Sequence, residues 1–166
     1  MTDTSQVRPV TWWDGIPVPW VTAWSRESIP RQLLAVQHGP GGDRLGFQNE
    51  VDVDRHYGVP WVRMPAVRRG RPRHEKVHAL RQRQAMSRLL RQLCGGPTVD
   101  SRPDERTLWL MGARGGAAVA EGQRTTAPPV HKDCALLAVE HCPPLRRGWR
   151  AALVSYAPVW GVTGVL

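Results

Sequence analysis

The chain is short of lysine, of phenylalanine and of cysteine, and each shortage excludes something. Only Lys76 and Lys132 are lysines among 23 basic residues, so arginine carries nearly all the positive charge. The three cysteines, Cys94, Cys134 and Cys142, are an odd number, which argues against a secreted disulfide framework. No stretch approaches the ~18 consecutive apolar residues of a membrane span, so no membrane partner is expected. Residues 1–10 contain no apolar core of signal-peptide length. With the cysteine usage, this gives the expectation of a cytoplasmic protein with reduced thiols. Glycine-rich residues 39–42 and 112–116 lack the Lys-Ser/Thr ending of a phosphate-cradling loop. No serine-centred nucleophile elbow occurs.

Acid is scarce too. Fourteen acidic residues against 23 basic ones give a net charge of +9, with a pI near 10.9. A length of 166 residues suits one domain, or one domain with an appendage, and can bury a real core. Arginine makes planar, bidentate contacts to phosphate and stays charged when partly buried. A surface of this kind most often meets phosphate-rich partners. Codon bias in a GC-rich genome explains the arginine-to-lysine ratio, but not the net charge.

The expected fold class is α+β: short antiparallel strands, a long basic helix, and a treble-clef-like knuckle, hairpin and helix. Residues 1–65 form a Trp-rich β region. Residues 66–166 hold the basic helix, the knuckle element and C-terminal strands, the whole making one compact unit. In the first region, residues 10–13 are β-prone and Asp14-Gly15 is a strong turn signal. Further strands are expected over residues 32–37, 45–53 and 60–64, with a turn at 39–42. Trp12, Trp13, Trp20, Trp24 and Trp61 lie here. Such residues fill a small core more often than they form a platform for stacked bases.

Between residues 63 and 91 stand Arg63, Arg68, Arg69, Arg71, Arg73, Lys76, Arg81, Arg83, Arg88 and Arg91, opposed only by Glu75. A basic loop over 68–73 leads into a helix expected over 74–93. Ala79, Met86, Leu89, Leu90 and Leu93 share one face of it at helical period, with Arg81 and Arg88 opposite. Gly95-Gly96-Pro97 would end it. So one-sided a block points to an anionic partner, DNA or RNA, touched by Arg68, Arg69, Arg71, Arg73, Arg81 and Arg88. Later expectations are a strand over 107–111, a weak return strand over 117–120, a helix over 132–141 stopped by Pro143-Pro144, a strand over 151–156, and a last apolar strand over 159–166.

Two short motifs suggest a metal site. Arg91-Gln92-Leu93-Cys94-Gly95-Gly96-Pro97 has the form of a Cys-x-x-Cys-Gly knuckle with arginine at the first ligand. Pro128-Pro129-Val130-His131-Lys132-Asp133-Cys134 has the form of a second ligand pair opening a helix, with histidine first. Zinc takes four soft or borderline ligands, and a helix N-terminus favours thiolate. These residues resemble a group of uncharacterised small proteins of high-GC bacteria, along with residues 77–86, Leu108-Trp109-Leu110, residues 125–130, and Cys134-Ala135 through Cys142-Pro143. The resemblance covers roughly residues 50–150. It implies paired Cys-x-x-Cys motifs with zinc as the ion, and no known activity.

Three readings follow for the metal. Zinc persists on Cys94, His131 and Cys134 with Cys142, His141 or water as fourth ligand. Or the metal is lost and Arg91 bonds neighbouring carbonyls or Asp133. Or three ligands with an open position make a catalytic site. Eight residues of helix separate Cys134 from Cys142, about 12 Å along the axis, which weakens Cys142.

A competing motif is His74-Glu75-Lys76-Val77-His78. On a helix, His74 and His78 would share a face and bind zinc while Glu75 polarised a water, as in peptidases. Pro72 and the surrounding cationic charge count against it. An HNH-like nuclease could recruit His56, His74 and His78 with Asp52 or Asp54, though no His-Asn-His spacing is present. The leading expectation is a non-enzymatic nucleic-acid-binding protein. The alternatives are a zinc-dependent hydrolase, or a protein-interaction module docking through its Trp-rich half.

Overall fold

The computed structural model describes residues 8–56, 58–98, 104, 106–113 and 118–158. Its order is β1 (Thr11–Trp13), β2 (Ile16–Val18), β3 (Thr22–Trp24), β4 (Leu34–Gln37), β5 (Arg44–Phe47), a 3-10 turn at Asp52–Asp54, β6 (Arg55–His56), β7 (Val59–Pro60), β8 (Pro72–Val77), α1 (Ala79–Ser87), β9 (Thr107–Gly112), α2 (Lys132–His141), α3 (Pro143–Arg146) and β10 (Trp149–Val154). All strands pair antiparallel, two by two: β1 with β2, β3 with β8, β4 with β5, β6 with β7 and β9 with β10. The α+β class with short antiparallel strands is what the sequence led us to expect.

The turn between β1 and β2 follows from its residues. Asp14 has φ 48° and Gly15 φ 74°, the two positive angles that a hairpin turn matching the strand twist requires. The expected helix over 132–141 is present with those bounds, as α2. Pro143 and Pro144 do not simply stop it. They open α3, since proline fits the first turn, where no N–H is needed. The expected strand over 159–166 lies outside the described residues.

The long basic helix expected over 74–93 is not formed. Residues 72–77 are strand, and α1 runs only from Ala79 to Ser87. The cause is a distant partner: β8 lies against β3, with Val77 opposite Thr22 and Pro72 opposite Trp24. Such pairing overrides weak local helix preference. At the other end Leu89 turns left-handed at φ 48°, and the Leu90 N–H bonds the Ala85 carbonyl at 2.9 Å. That is a helix stop of the Schellman type, completed without the usual glycine. The Thr98 N–H and hydroxyl both bond the Leu89 carbonyl, at 3.0 and 2.7 Å, and hold the strained residue in place.

The β3–β8 pair also joins a strand of the first sequence region to one of the second. Beneath it sits a fully buried polar cluster. Glu27, 1% exposed, accepts from Arg81 Nη1 at 2.8 Å and Nη2 at 2.5 Å, from the Trp24 N–H at 2.8 Å and from the Arg68 N–H at 2.9 Å. Arg81 Nη2 also donates to the Thr22 carbonyl at 2.7 Å. The apolar core is formed by Leu93, Cys94, Leu110, Val130 and Cys134 with Val10, Leu108, Leu137 and Leu145 packed on it.

Candidate metal centre

The centre lies inside that core. Residues 90–97 form a tight hairpin: Leu90 bridges Pro97, the Arg91 N–H bonds the Gly96 carbonyl at 2.7 Å, and the Gly95 N–H bonds the Arg91 carbonyl at 2.8 Å. Gly95 sits at φ +70°, and a Cβ there would meet Trp20 Cγ at 2.6 Å. Glycine is therefore needed twice over, for the backbone angle and for the Trp20 ring lying on it. The Trp20 N–H bonds the Leu93 carbonyl at 2.9 Å, fixing that cover.

Facing the hairpin is the start of α2. Val130 bridges Leu108 of β9, and the Gln92 N–H bonds the Pro129 carbonyl at 2.7 Å. These two links set His131 at the N-cap of α2 and Cys134 in its first turn against Cys94. One ligand atom from each of Cys94, His131 and Cys134 lies within 4.8 Å of the others, so the three form a group that can hold a metal ion. Cys94 and Cys134 are buried at 4% and 1% exposure.

The electrostatics suit thiolate. Cys94 is pulled down to about 3 by a hydrogen bond from Cys134, against the cost of burial, with His131 and the Gly96 N–H assisting. Cys134 is pushed up because it donates to Cys94 and is buried. The Arg91 charge and the Cys94 N–H act on Cys134 in the opposite sense. The pair thus shares one proton, which a divalent metal would displace. His131 Nδ1 is buried with no hydrogen-bond partner, as a site made for one more group would leave it.

Arg91 stands where the knuckle pattern has its first cysteine. It is 4% exposed, its Nε has no hydrogen-bond partner, and its charge acts on Cys134. Asp133, named as its partner in one reading of the sequence, is 82% exposed and lies 3.9 Å from His131 Nε2. The other proposed fourth ligands are elsewhere. Cys142 caps the far end of α2, and His141 lies edge-on to Trp12 at 5.6 Å. The expected hairpin between knuckle and helix is absent among the described residues: β9 takes β10, from beyond the helix, as its partner.

No protein-family model matches this chain, and no curated protein or solved structure matches it either.

The His-Glu-x-x-His reading fails on geometry. His74 and Glu75 are exposed on β8, not on a helix, so they cannot share a helical face with His78. His78 is fully buried at the N-cap of α1, with both ring nitrogens occupied. Nδ1 accepts from the Arg81 N–H at 3.4 Å, so Nε2 carries the proton and donates to the Pro65 carbonyl at 2.9 Å. Burial lowers its affinity for a second proton, and the Arg81 charge adds to that, against the Pro65 carbonyl and Glu27. The nuclease set loses Asp54 as well as His78. Asp54 is held by Arg63 Nε at 2.8 Å and by the Val51 N–H at 2.8 Å, and its carboxyl is lowered to about 2.

The basic block divides into inner and outer sets. Arg81 is only 5% exposed and bound to Glu27, so the sequence expectation that it touches an anionic partner is corrected. Arg68 lies over Trp24 at 5.7 Å and reaches Thr11 Oγ1 at 3.2 Å. Arg63 stands over Phe47 at 4.6 Å, and Arg83 over Trp61 at 4.8 Å. Arg69, Arg71 and Arg88 remain exposed, and Arg73 is half-buried. The sequence reading missed Glu27, although it is the sole acid between Asp14 and Asp43. It also missed exposed Arg26, whose N–H bonds the Arg69 carbonyl at 3.2 Å.

Proposed function

We propose that the protein binds the phosphate backbone of a nucleic acid through a surface of Arg26, Arg69, Arg71 and Arg73, without enzymatic chemistry. One observation carries this reading. Two distant segments are stitched together so that their arginines lie side by side while the local acid points inward. The Ser25 N–H bonds the Arg71 carbonyl at 2.8 Å, the Arg71 N–H bonds Ser25 Oγ at 3.0 Å, and Ala23 pairs with Arg73. Gly70, at φ +85°, permits the approach, since a Cβ there would fall 2.0 Å from Ser25 Oγ. Glu27 turns into the core and does not neutralise the outer arginines. Contacts of this kind give affinity and register without base readout.

On the same reading, zinc is the ion of the Cys94–His131–Cys134 group and staples the knuckle to α2. Two thiolates and an imidazole are a donor set that suits zinc.

Fluorescence anisotropy with a labelled duplex tests the binding. Affinity should fall linearly with salt on logarithmic axes, and the double change Arg69→Ser, Arg71→Ser should flatten the slope by roughly 0.9 per lost contact. No binding at low salt, or an unchanged slope in the variant, refutes the proposal.

A second reading is favoured by one feature. Leu34, Val36 and Leu45 are about half exposed on the β4–β5 hairpin, with Val36 directly opposite Leu45, and such a face suits a protein partner. Capture of a partner from nuclease-treated extract, with no oligonucleotide binding, would select this reading over the first.

A further inference from the structure

We infer that the metal centre keeps one coordination position for a small monoanionic ligand, held by Arg91. The inference rests on the metal reading above, and its starting point is a buried cation with no carboxylate partner among the described residues. Arg91 is 4% exposed, its Nε has no partner, and no described carboxylate reaches it. A buried guanidinium needs a counter-charge beside it; without metal the Cys94–Cys134 pair stands there, and metal binding takes those sulfurs for the ion. The hairpin fixes where: Arg91 is in the same turn as Cys94, and its backbone is bonded at both ends, to Gly96 and Gly95.

Charge counting identifies the missing group. Metal binding requires both cysteines as thiolates and histidine neutral. A dication, two thiolates and a neutral imidazole sum to zero, which leaves the arginine charge over. A fourth ligand bearing a single negative charge, such as hydroxide, chloride or azide, makes the buried assembly neutral. A neutral water does not, and a fourth cysteine at position 91 would have occupied the position with protein. Among the described residues the group contains only Cys94, His131 and Cys134, so no described residue fills the fourth corner. His131, whose side chain is 17% exposed, forms the edge open to solvent. The guanidinium supplies planar donors suited to an anion bound beside the metal.

Cobalt(II) substitution tests this without any assay of activity. Cobalt is loaded into the protein, and its visible absorption is followed as sodium azide is added. The wild type should bind one cobalt per chain and show a saturable spectral change with azide. Arg91→Gln should keep the cobalt and bind azide at least tenfold more weakly. Arg91→Cys, which supplies a fourth protein ligand, should bind cobalt more tightly and show no azide response. A wild type that binds no cobalt overturns both this inference and the metal reading. A wild type that binds cobalt but ignores azide overturns the anion position alone, and so does an Arg91→Gln variant with unchanged azide affinity.

Discussion

Replacing Glu27 by glutamine should destabilise the protein by about 3 kcal/mol, and two routes reach that figure. Removing one partner of a buried ion pair leaves the other charged and uncompensated, at a cost of roughly 3–5 kcal/mol. Here that partner is Arg81, 5% exposed, left with the Thr22 carbonyl and one neutral amide oxygen in place of a carboxylate. The second route is titration. Burial works to raise the Glu27 pKa, but the Arg81 bonds and the Arg68 and Trp24 N–H groups overcome it, bringing the carboxyl from 4.5 to about 2. At ~1.36 kcal/mol per unit, that depression is worth about 3 kcal/mol of folding free energy.

The sign follows from the direction. The folded state holds this proton less tightly than the unfolded chain, so the contribution is complete above pH 4.5 and is lost as pH falls through about 2. Urea unfolding at pH 7 and again near pH 2.5 measures both effects. The variant should lose about 3 kcal/mol at pH 7, and the gap to wild type should shrink at the lower pH. A loss below about 1 kcal/mol in the single variant would refute the account. The same variant should also weaken nucleic-acid binding, since Glu27 holds the backbone of Arg68 and with it the loop that presents Arg69 and Arg71.

Gly95→Ala should cost on the order of 1–3 kcal/mol from its positive φ and should lower metal affinity, because Trp20 leaves no room for a Cβ; unchanged cobalt affinity would contradict this. Cys134→Ser should lower bound metal well below one ion per chain, while His74→Ala and Glu75→Gln should leave it unchanged, as measured by elemental analysis of protein purified with zinc.

Local signals were legible and distant ones were not. The Asp14-Gly15 turn and α2 follow from their own residues, and so does the meeting of Cys94 with His131 and Cys134, because a knuckle and a helix start carry their geometry in a few positions. The strand at Pro72–Val77 does not. Its sequence reads as the opening of a helix, and only β3, some fifty residues earlier, makes it extended. That one error moved His74 and Glu75 from a helix to a strand, and so created the peptidase motif. The same limit applied to the arginines. A run of positive residues says that an anion is needed, but not whether the anion is a partner's phosphate or this chain's own Glu27.

That ambiguity is resolved by burial, and it changes what the high arginine content means. Lysine could supply the outer surface as a set of point charges, but it could not replace Arg81. Arg81 must grip both oxygens of Glu27 and the Thr22 carbonyl at once from inside the protein. Nor could lysine replace Arg63, Arg68 or Arg83, whose planar groups lie over Phe47, Trp24 and Trp61. In a chain with one phenylalanine and eight tryptophans, these stacked and forked arginines supply part of the packing that aliphatic and aromatic side chains supply elsewhere. The net charge is thus a poor measure of the proposed binding surface. The inner arginines serve the fold, and the proposed phosphate-binding set shrinks to Arg26, Arg69, Arg71 and Arg73.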